Sequence, residues 1–320
     1  MKGPILVLGA GGFVGANLFL KILNSRSDIT GVLHNKNSWR LKNVAEEKIK
    51  YVDITNQQEI EKLLVSTKSR TILNCVSYGA YSFQKDVHQI YETNFNAMRG
   101  LIEVLHNKSI DSFINAGTSS EYGINSNKPK ENAFTKPNSH YALSKLATAS
   151  YLQYMGKQND FPCIHLRIYS AYGPLEDTSR LIPNLLYFAL KKQLPPLVSK
   201  KISRDFLYVD DVCDAFITAA IKIKPSMYGE IYNIGSGIKT TIEDLVSITK
   251  KTFNIDVNPK FDTFKNREWD LADWVSDPKK SKIELGWEAK TPLKSGLLKT
   301  YKWIEGIEPK IFENLTKKKN

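Results

Sequence analysis

At 320 residues, 42% of them hydrophobic and 24% charged, the chain has the composition of a globular protein with room for one or two domains and a sizeable core. No apolar run nears the ~20 residues of a membrane span, and the opening one is too short for a signal peptide, so the sequence reads as cytoplasmic with no membrane partner. The net charge of +12 comes from scattered lysines, three of them at Lys317, Lys318 and Lys319; this pattern suits solvated faces and anionic small molecules, and it argues against nucleic acid, which would favour basic residues gathered on one element with stacking aromatics.

Residues 4–8 read as a strand, followed by Gly9-Ala10-Gly11-Gly12-Phe13-Val14-Gly15 and an amphipathic stretch over 17–23. Strand, glycine turn and helix in that order mark a dinucleotide site. Gly9 permits the tight turn, Gly12 lets the backbone approach a pyrophosphate at the helix N-terminus, and Gly15 lets helix and strand pack closely. Gly9, Gly12, Phe13, Val14 and Gly15 are therefore cofactor-binding candidates. Ile29–Leu33 is the second strand. A free ribose 2′-hydroxyl usually meets a carboxylate at its end and a 2′-phosphate an arginine; residues 31–42 carry no carboxylate but offer His34, Asn35, Lys36 and Arg40. The expected cofactor is NADP, with NAD possible.

Strands are expected at 49–52, leading to Asp53 and Ile54, at 71–76, containing Asn74, Cys75 and Val76, and at 112–116, delivering Gly117 and Thr118. A long helix over 85–107 carries Asn94. Further helices are expected at 141–156, Leu181–Leu190, 211–221 with Asp210 as its cap, and 241–253; further strands at 163–169, 205–209 and 231–234. Alternating strands and helices predict an α/β chain with a Rossmann-type doubly wound parallel sheet. Residues 1–170 form the nucleotide-binding domain, to which the chain returns around 205–235, and 171–320 mainly form a smaller C-terminal substrate-binding domain. Ligands then sit beyond the C-terminal ends of the strands.

Tyr141 and Lys145 are four residues apart, on one face of a helix. A phenol ionises near ~10, and a neighbouring ammonium stabilises the phenolate, fitting Tyr141 for proton transfer. Thr118, from a separate loop, can hydrogen-bond the oxygen that gives or takes the proton. Cys75, Cys163 and Cys213 lack ligand spacing and read as buried thiols, and His34, His88, His106 and His165 show no metal spacing, so no metal is expected. His140 reads as a helix-start polar contact, and Trp269, Trp274 and Trp287 as core. The Tyr78, Tyr81 and Phe83 cluster suits a sugar pocket or loop packing equally.

Taken together, the glycine loop, Asp53-Ile54, Asn74, Asn94, Thr118 five residues before Gly123, Tyr141-x-x-x-Lys145, Leu166-Arg167…Tyr172-Gly173-Pro174, Arg204-Asp205-Phe206…Tyr208-Val209-Asp210-Asp211 and Leu285-Gly286-Trp287 resemble the extended short-chain dehydrogenase/reductase family, in its sugar-nucleotide epimerase/dehydratase branch. The resemblance covers nearly the whole chain. It implies a nicotinamide cofactor and a nucleoside-diphosphate sugar. Tyr141 would be the acid/base, Thr118 would orient the sugar hydroxyl, and Lys145 would bind the nicotinamide ribose and lower the Tyr141 pKa. Asp53, Ile54, Asn74, Cys75, Val76 and Asn94 join the cofactor set, with Asp53 meeting the adenine. Tyr78, Ser119, Ser120, Ser170, Arg180, Arg204 and Arg267 are the substrate candidates, Arg204 and Arg267 for the pyrophosphate; a surface ion pair is the equal alternative for Arg267. The family also implies a homodimer through a four-helix bundle built from 85–107 and 141–156.

Within that branch, the 4,6-dehydratases carry Asp-Glu directly after the hydroxyl residue, where this chain has Ser119 and Ser120, and the decarboxylases carry Glu at the position of Ser120. Glu121 comes one residue later, facing the other way in an extended segment, where a structural role near Tyr122 is the leading reading. The missing carboxylate after the second strand, and Ser170 where Asn is common, weaken a 4-epimerase. The leading expectation is therefore an NADPH-dependent reductase of a nucleoside-diphosphate 4-keto-6-deoxy sugar, with an NAD-dependent 4-epimerase as the alternative. A non-catalytic dinucleotide sensor is the alternative of another class, disfavoured because Tyr141 and Lys145 are both present.

Overall fold

A computed structural model describes residues 1–36, 38–81, 83–263, 271–307 and 312. Among these residues, seven strands form one parallel sheet. The chain lays down β1 (Ile5–Leu8), α1 (Phe13–Leu23), β2 (Ile29–Leu33), β3 (Ile49–Tyr51), α2 (Gln57–Thr67) and β4 (Thr71–Asn74). It then forms α3 (Val87–Tyr91), a π-helical turn (Glu92–Asn96), α4 (Ala97–His106), β5 (Ser112–Thr118), α5 (His140–Gln158) and β6 (Cys163–Ile168). β7 (Ser170–Tyr172), α6 (Leu181–Leu190), β8 (Ser203–Arg204), β9 (Phe206–Tyr208) and α7 (Val209–Lys222) precede β10 (Glu230–Ile234), which returns to the sheet beside β6. β11 (Thr240–Thr241), α8 (Ile242–Phe253) and α9 (Leu293–Glu305) complete the order.

The spatial order β10-β6-β5-β4-β1-β2-β3 reverses direction between β1 and β4. That reversal opens a crevice at the C-terminal ends, the usual ligand position in such sheets. Every residue of β1, β4 and β6 is buried; β1 reads as a continuous apolar run, while β6 alternates apolar residues with His165 and Arg167. One face packs Ala16, Phe19 and Ile22 of α1 against Val212, Phe216 and Ala219 of α7. The other packs Ile60 and Leu64 of α2, Met98, Leu101 and Ile102 of α4, and Leu152 and Met155 of α5. A separate cluster joins Leu185 and Leu186 of α6, Leu245 of α8 and Leu297 and Ile304 of α9. No helix among the described residues is long and apolar enough to cross a membrane.

Local signals explain several boundaries. Asn56 caps α2 through the N–H groups of Gln58 and Glu59, and Ser139 caps α5 through Ala142. Thr241 and Asp244 form a capping box that starts α8 at 242. Asp210, expected to cap a helix, instead lies inside α7, whose N-cap is Tyr208; Asp210 and Asp211 place their charge in the first turn, where the helix dipole favours it. The periodic stretch 85–107 is broken into α3, the π turn and α4.

Gly156 of α5 faces Gly229 so closely that a β-carbon built on it would lie 2.2 Å from the Gly229 nitrogen. Backbone cannot yield as a side chain can. Gly156→Ala is expected to lower stability by about 1–3 kcal/mol, against the ~1 kcal/mol that alanine gains in helix propensity, as measured by urea unfolding.

Candidate active site

The turn after β1 is shaped by two close approaches. Gly9 has φ +72°, and a β-carbon on Gly15 would lie 2.2 Å from the Gly9 carbonyl oxygen. Only glycine at both places lets α1 start directly above the strand. The helix has no side-chain N-cap bond and no acidic residue in its first turn. Its leading N–H groups are thus left to an anion, and the loop fits a dinucleotide pyrophosphate.

Arg40 does not stand open at the end of β2. Its guanidinium donates to the carbonyls of Leu175 (2.7 Å) and Gly11 (3.2 Å) and stacks on Trp39. It ties the glycine loop to the segment after β7, and Asn17 reinforces the tie by donating to Pro174 O (3.0 Å). His34, Asn35 and Lys36 are exposed. Asp53 accepts from the backbone and side chain of Thr55 (2.9 and 2.8 Å), and these bonds hold its carboxyl below the usual range despite some burial.

Across the switch point, Asn74 sits buried at the end of β4 and accepts from Val76 N–H (3.2 Å). Asn94, in the π turn, accepts from Tyr78 N–H and donates to Tyr78 O and Ser144 Oγ, clamping the loop after β4 to α5. Lys145 is 2% exposed, and its Nζ lies 3.5 Å from Val76 O. Burial brings it down to about 8, while Glu121 and Cys75 pull the other way. Burial also raises the Cys75 thiol to about 12, so it is an inert thiol at neutral pH.

The Tyr141 phenol hydrogen-bonds with Ser77 and Thr118. The structure thus brings Thr118, Tyr141 and Lys145 together beside the glycine loop. The expected lowering of Tyr141 by Lys145 is not what this geometry gives. Burial pushes the phenol above its ordinary value, and the opposing contributions are the two hydroxyls and Arg180. Ser77 had not been singled out from the sequence. Its position three residues past Asn74, at the mouth of the same crevice, is the only signal the sequence offers.

Glu121 is fully buried. Its Oε1 accepts from Thr118 N–H (2.8 Å) and His165 Nε2 (2.9 Å), and its Oε2 from Arg167 Nε (2.7 Å). These donors hold the carboxyl at about 2 against the burial that would raise it. Both oxygens are engaged and the group has no exposed surface, so Glu121 has a structural role and does not reach substrate. The signal for it was present in the sequence: Thr118-x-x-Glu121 is a capping box.

The substrate candidates disperse more. Ser119 is buried with its hydroxyl accepting the Trp274 indole N–H (2.9 Å), so it braces the C-terminal half and does not present its hydroxyl to a ligand. Arg204 stacks on that same Trp274 ring and donates to Ser203 O. Arg180 donates to Ala80 O and stacks on Tyr81, which itself stacks on Phe83. Ser120 and Ser170 are half-buried at the ends of β5 and β6. Tyr78 is held by Asn94 through its backbone. Arg267 and Trp269 lie outside the described residues. His140 meets Tyr91 at the start of α5 (3.2 Å). No group of three His, Cys, Asp or Glu able to hold a metal ion occurs among the described residues.

Glu176 is the one carboxyl near this crevice whose burial goes unanswered. Its Oε2 is buried without a hydrogen-bond partner, and desolvation raises the group to about 8 although Arg180 and Arg40 pull it down. The folded state therefore keeps a proton that the unfolded chain releases near 4.5. Stability should fall as pH rises from about 4.5 to about 8. Glu176→Gln should remove that slope, up to about 1.4 kcal/mol per pH unit, in urea midpoints taken at pH 5, 6.5 and 8.

The sequence model of the NAD dependent epimerase/dehydratase family matches residues 5–235. The chain is 29% identical to a Bacillus subtilis protein named an uncharacterized UDP-glucose epimerase, with 95% of this chain and 98% of that one covered. It is 25% identical to human dTDP-D-glucose 4,6-dehydratase, with 93% and 89% covered. In fold it is similar to the UDP-glucose 4-epimerase of Thermotoga maritima solved with UDP-glucose (TM-score 0.84, 24% identity, 94% and 98% covered). It is equally similar to the UDP-glucuronic acid 4-epimerase of Bacillus cereus solved with UDP-glucuronic acid and NAD (TM-score 0.83, 24% identity, 94% and 98% covered). The matched segment takes in the whole parallel sheet, the glycine loop, Thr118, Tyr141 and Lys145: the chain belongs to the NAD dependent epimerase/dehydratase family.

Proposed function

We propose that the protein reduces the C4 carbonyl of a nucleoside-diphosphate 4-keto-6-deoxy sugar, with NADPH as the preferred reductant. The observation that carries this reading is the Thr118–Tyr141–Lys145 set beside the glycine loop. Dehydration needs a second acid/base pair next to the hydroxyl residue. Here Ser119 and Ser120 occupy those positions, and the nearby Glu121 is buried with both oxygens engaged.

A bound nicotinamide would supply the hydride. Gly9, Gly12 and Gly15, with the Phe13 and Val14 N–H groups, would hold its pyrophosphate end, and Lys145, beside Val76 O, would bind the ribose next to the nicotinamide. Thr118 Oγ positions the substrate oxygen, and Tyr141 gives that oxygen its proton. The Ser77 and Thr118 hydroxyls and the Arg180 guanidinium, the groups that offset burial at Tyr141, would stabilise the phenolate until solvent restores the proton.

The 4-epimerase reading stands second, favoured by the names of the relatives. It needs the same three residues, with Tyr141 first taking and then returning a proton. The two separate on nicotinamide absorbance with CDP-, GDP- and dTDP-4-keto-6-deoxy sugars. Stoichiometric loss of NADPH establishes the reductase. No loss, together with NAD released from the denatured protein, favours the epimerase.

Tyr141→Phe should lower turnover by ~10²–10⁴-fold with dinucleotide affinity unchanged; full activity in that variant would sink the assignment. Arg40→Ala should weaken NADPH more than NADH in fluorescence titrations if the basic end of β2 meets a 2′-phosphate. Equal loss for both would mean that Arg40 serves only to tie Gly11 to Leu175.

A further inference from the structure

Beneath the site runs a chain of buried side chains whose hydrogen bonds all point toward Glu121. Val76 N–H donates to Asn74 Oδ1 (3.2 Å), Asn74 Nδ2 to Asn115 Oδ1 (2.6 Å), and Asn115 Nδ2 lies 2.9 Å from His165 Nδ1. His165 Nε2 lies 2.9 Å from Glu121 Oε1, which also accepts Thr118 N–H (2.8 Å). The two contacts fix the imidazole as the neutral Nε2–H tautomer, because Asn115 donates to Nδ1 and the carboxylate accepts from Nε2. Asn74, Asn115, His165 and Glu121 are each no more than 1% exposed. One end of the chain is Val76, whose carbonyl faces Lys145 Nζ; the other is Thr118.

We propose that Glu121 is the positioning residue of the active site: through His165, Asn115 and Asn74 its carboxylate fixes Thr118 and the Val76 partner of Lys145 in one frame, and its charge holds Lys145 as the ammonium. The proposal rests on the Thr118–Tyr141–Lys145 reading above. Glu121 touches neither substrate nor cofactor and acts only through these neighbours. Among the described residues, the titratable groups coupled to Lys145 are Glu121 after β5, Cys75 after β4 and His165 on β6, and Tyr141 lies one turn earlier on its own helix. Of these, Glu121 alone is ionised at neutral pH, since Cys75, His165 and Tyr141 are all shifted toward their neutral forms. Arg167 faces the other carboxylate oxygen and keeps it charged.

The test reads Lys145 directly, without substrate. The Nζ resonance of ¹⁵N-lysine-labelled protein, assigned with Lys145→Arg, is followed from pH 6 to 10. The wild-type midpoint should lie near about 8. In Glu121→Gln it should fall by about one unit, roughly a tenfold change in acid dissociation. An unmoved midpoint would overturn the proposal, because a purely structural role would lower the melting temperature and leave Lys145 untouched. If Arg167, left without its carboxylate, prevents folding, Glu121→Gln/Arg167→Met compared with Arg167→Met keeps the same reading. With any sugar nucleotide that the wild type reduces, Glu121→Gln should lower kcat about tenfold with KM for the dinucleotide unchanged. A panel in which the wild type reduces nothing would sink the proposed reaction and leave this proposal to be decided by the midpoint alone.

Discussion

A carboxylate with no exposed atom survives folding only if fixed donors replace its water, and two adjoining elements, β6 and the end of β5, are arranged to supply them to Glu121. β6 sends His165 and Arg167, two residues apart and therefore on one face of the strand. The end of β5 sends the Thr118 N–H. Gly117 is part of the same arrangement, because a β-carbon there would lie 2.0 Å from His165 Nε2. The backbone of Thr118 is thus held by an ion pair lying behind it. Arg167 extends the structure further, donating to Glu131 O and stacking on Tyr122, whose hydroxyl donates to Asn233 on β10.

A second buried carboxylate organises the other half. Asp205, between β8 and β9, accepts from Ser236 and Ser276 through both backbone and hydroxyl, and from Gly237 N–H. It ties the turn after β10 to the strand-like segment at 274–276. Trp274, in that segment, donates to Ser119 beside the catalytic turn and supports Arg204 on its ring. The two carboxylates therefore join the sheet and the C-terminal elements through a few residues that lie next to the crevice.

The sheet was legible because strands such as β1 and β2 are short apolar runs set between helical segments, and because the glycine spacing has a single steric meaning at Gly9 and Gly15. Thr118, Tyr141 and Lys145 were legible through helical spacing and family resemblance. Asp210 was read as a cap from its charge, but the helix starts one residue before it. The partners of Arg40 and Ser119 lie 29 to 155 residues away, and sequence offers no sign of them. Glu121 differs: its capping box with Thr118 is local, and its structural role was legible in the sequence.

The π turn at Glu92–Asn96 is where one long helix changes the face it turns inward. Before the turn's end, Asn94 looks toward Tyr78 and Ser144; after it, Met98, Leu101, Ile102 and Leu105 look toward the sheet. One surplus residue in a helix rotates all that follows by about 100°. In an unbroken α-helix Asn94 would share a face with Met98, Leu101 and Leu105, four, seven and eleven residues on, and could not turn to the loop after β4 while they turn to the sheet. The helix thus works as two helices of different phase sharing an axis, one serving the crevice and one the sheet.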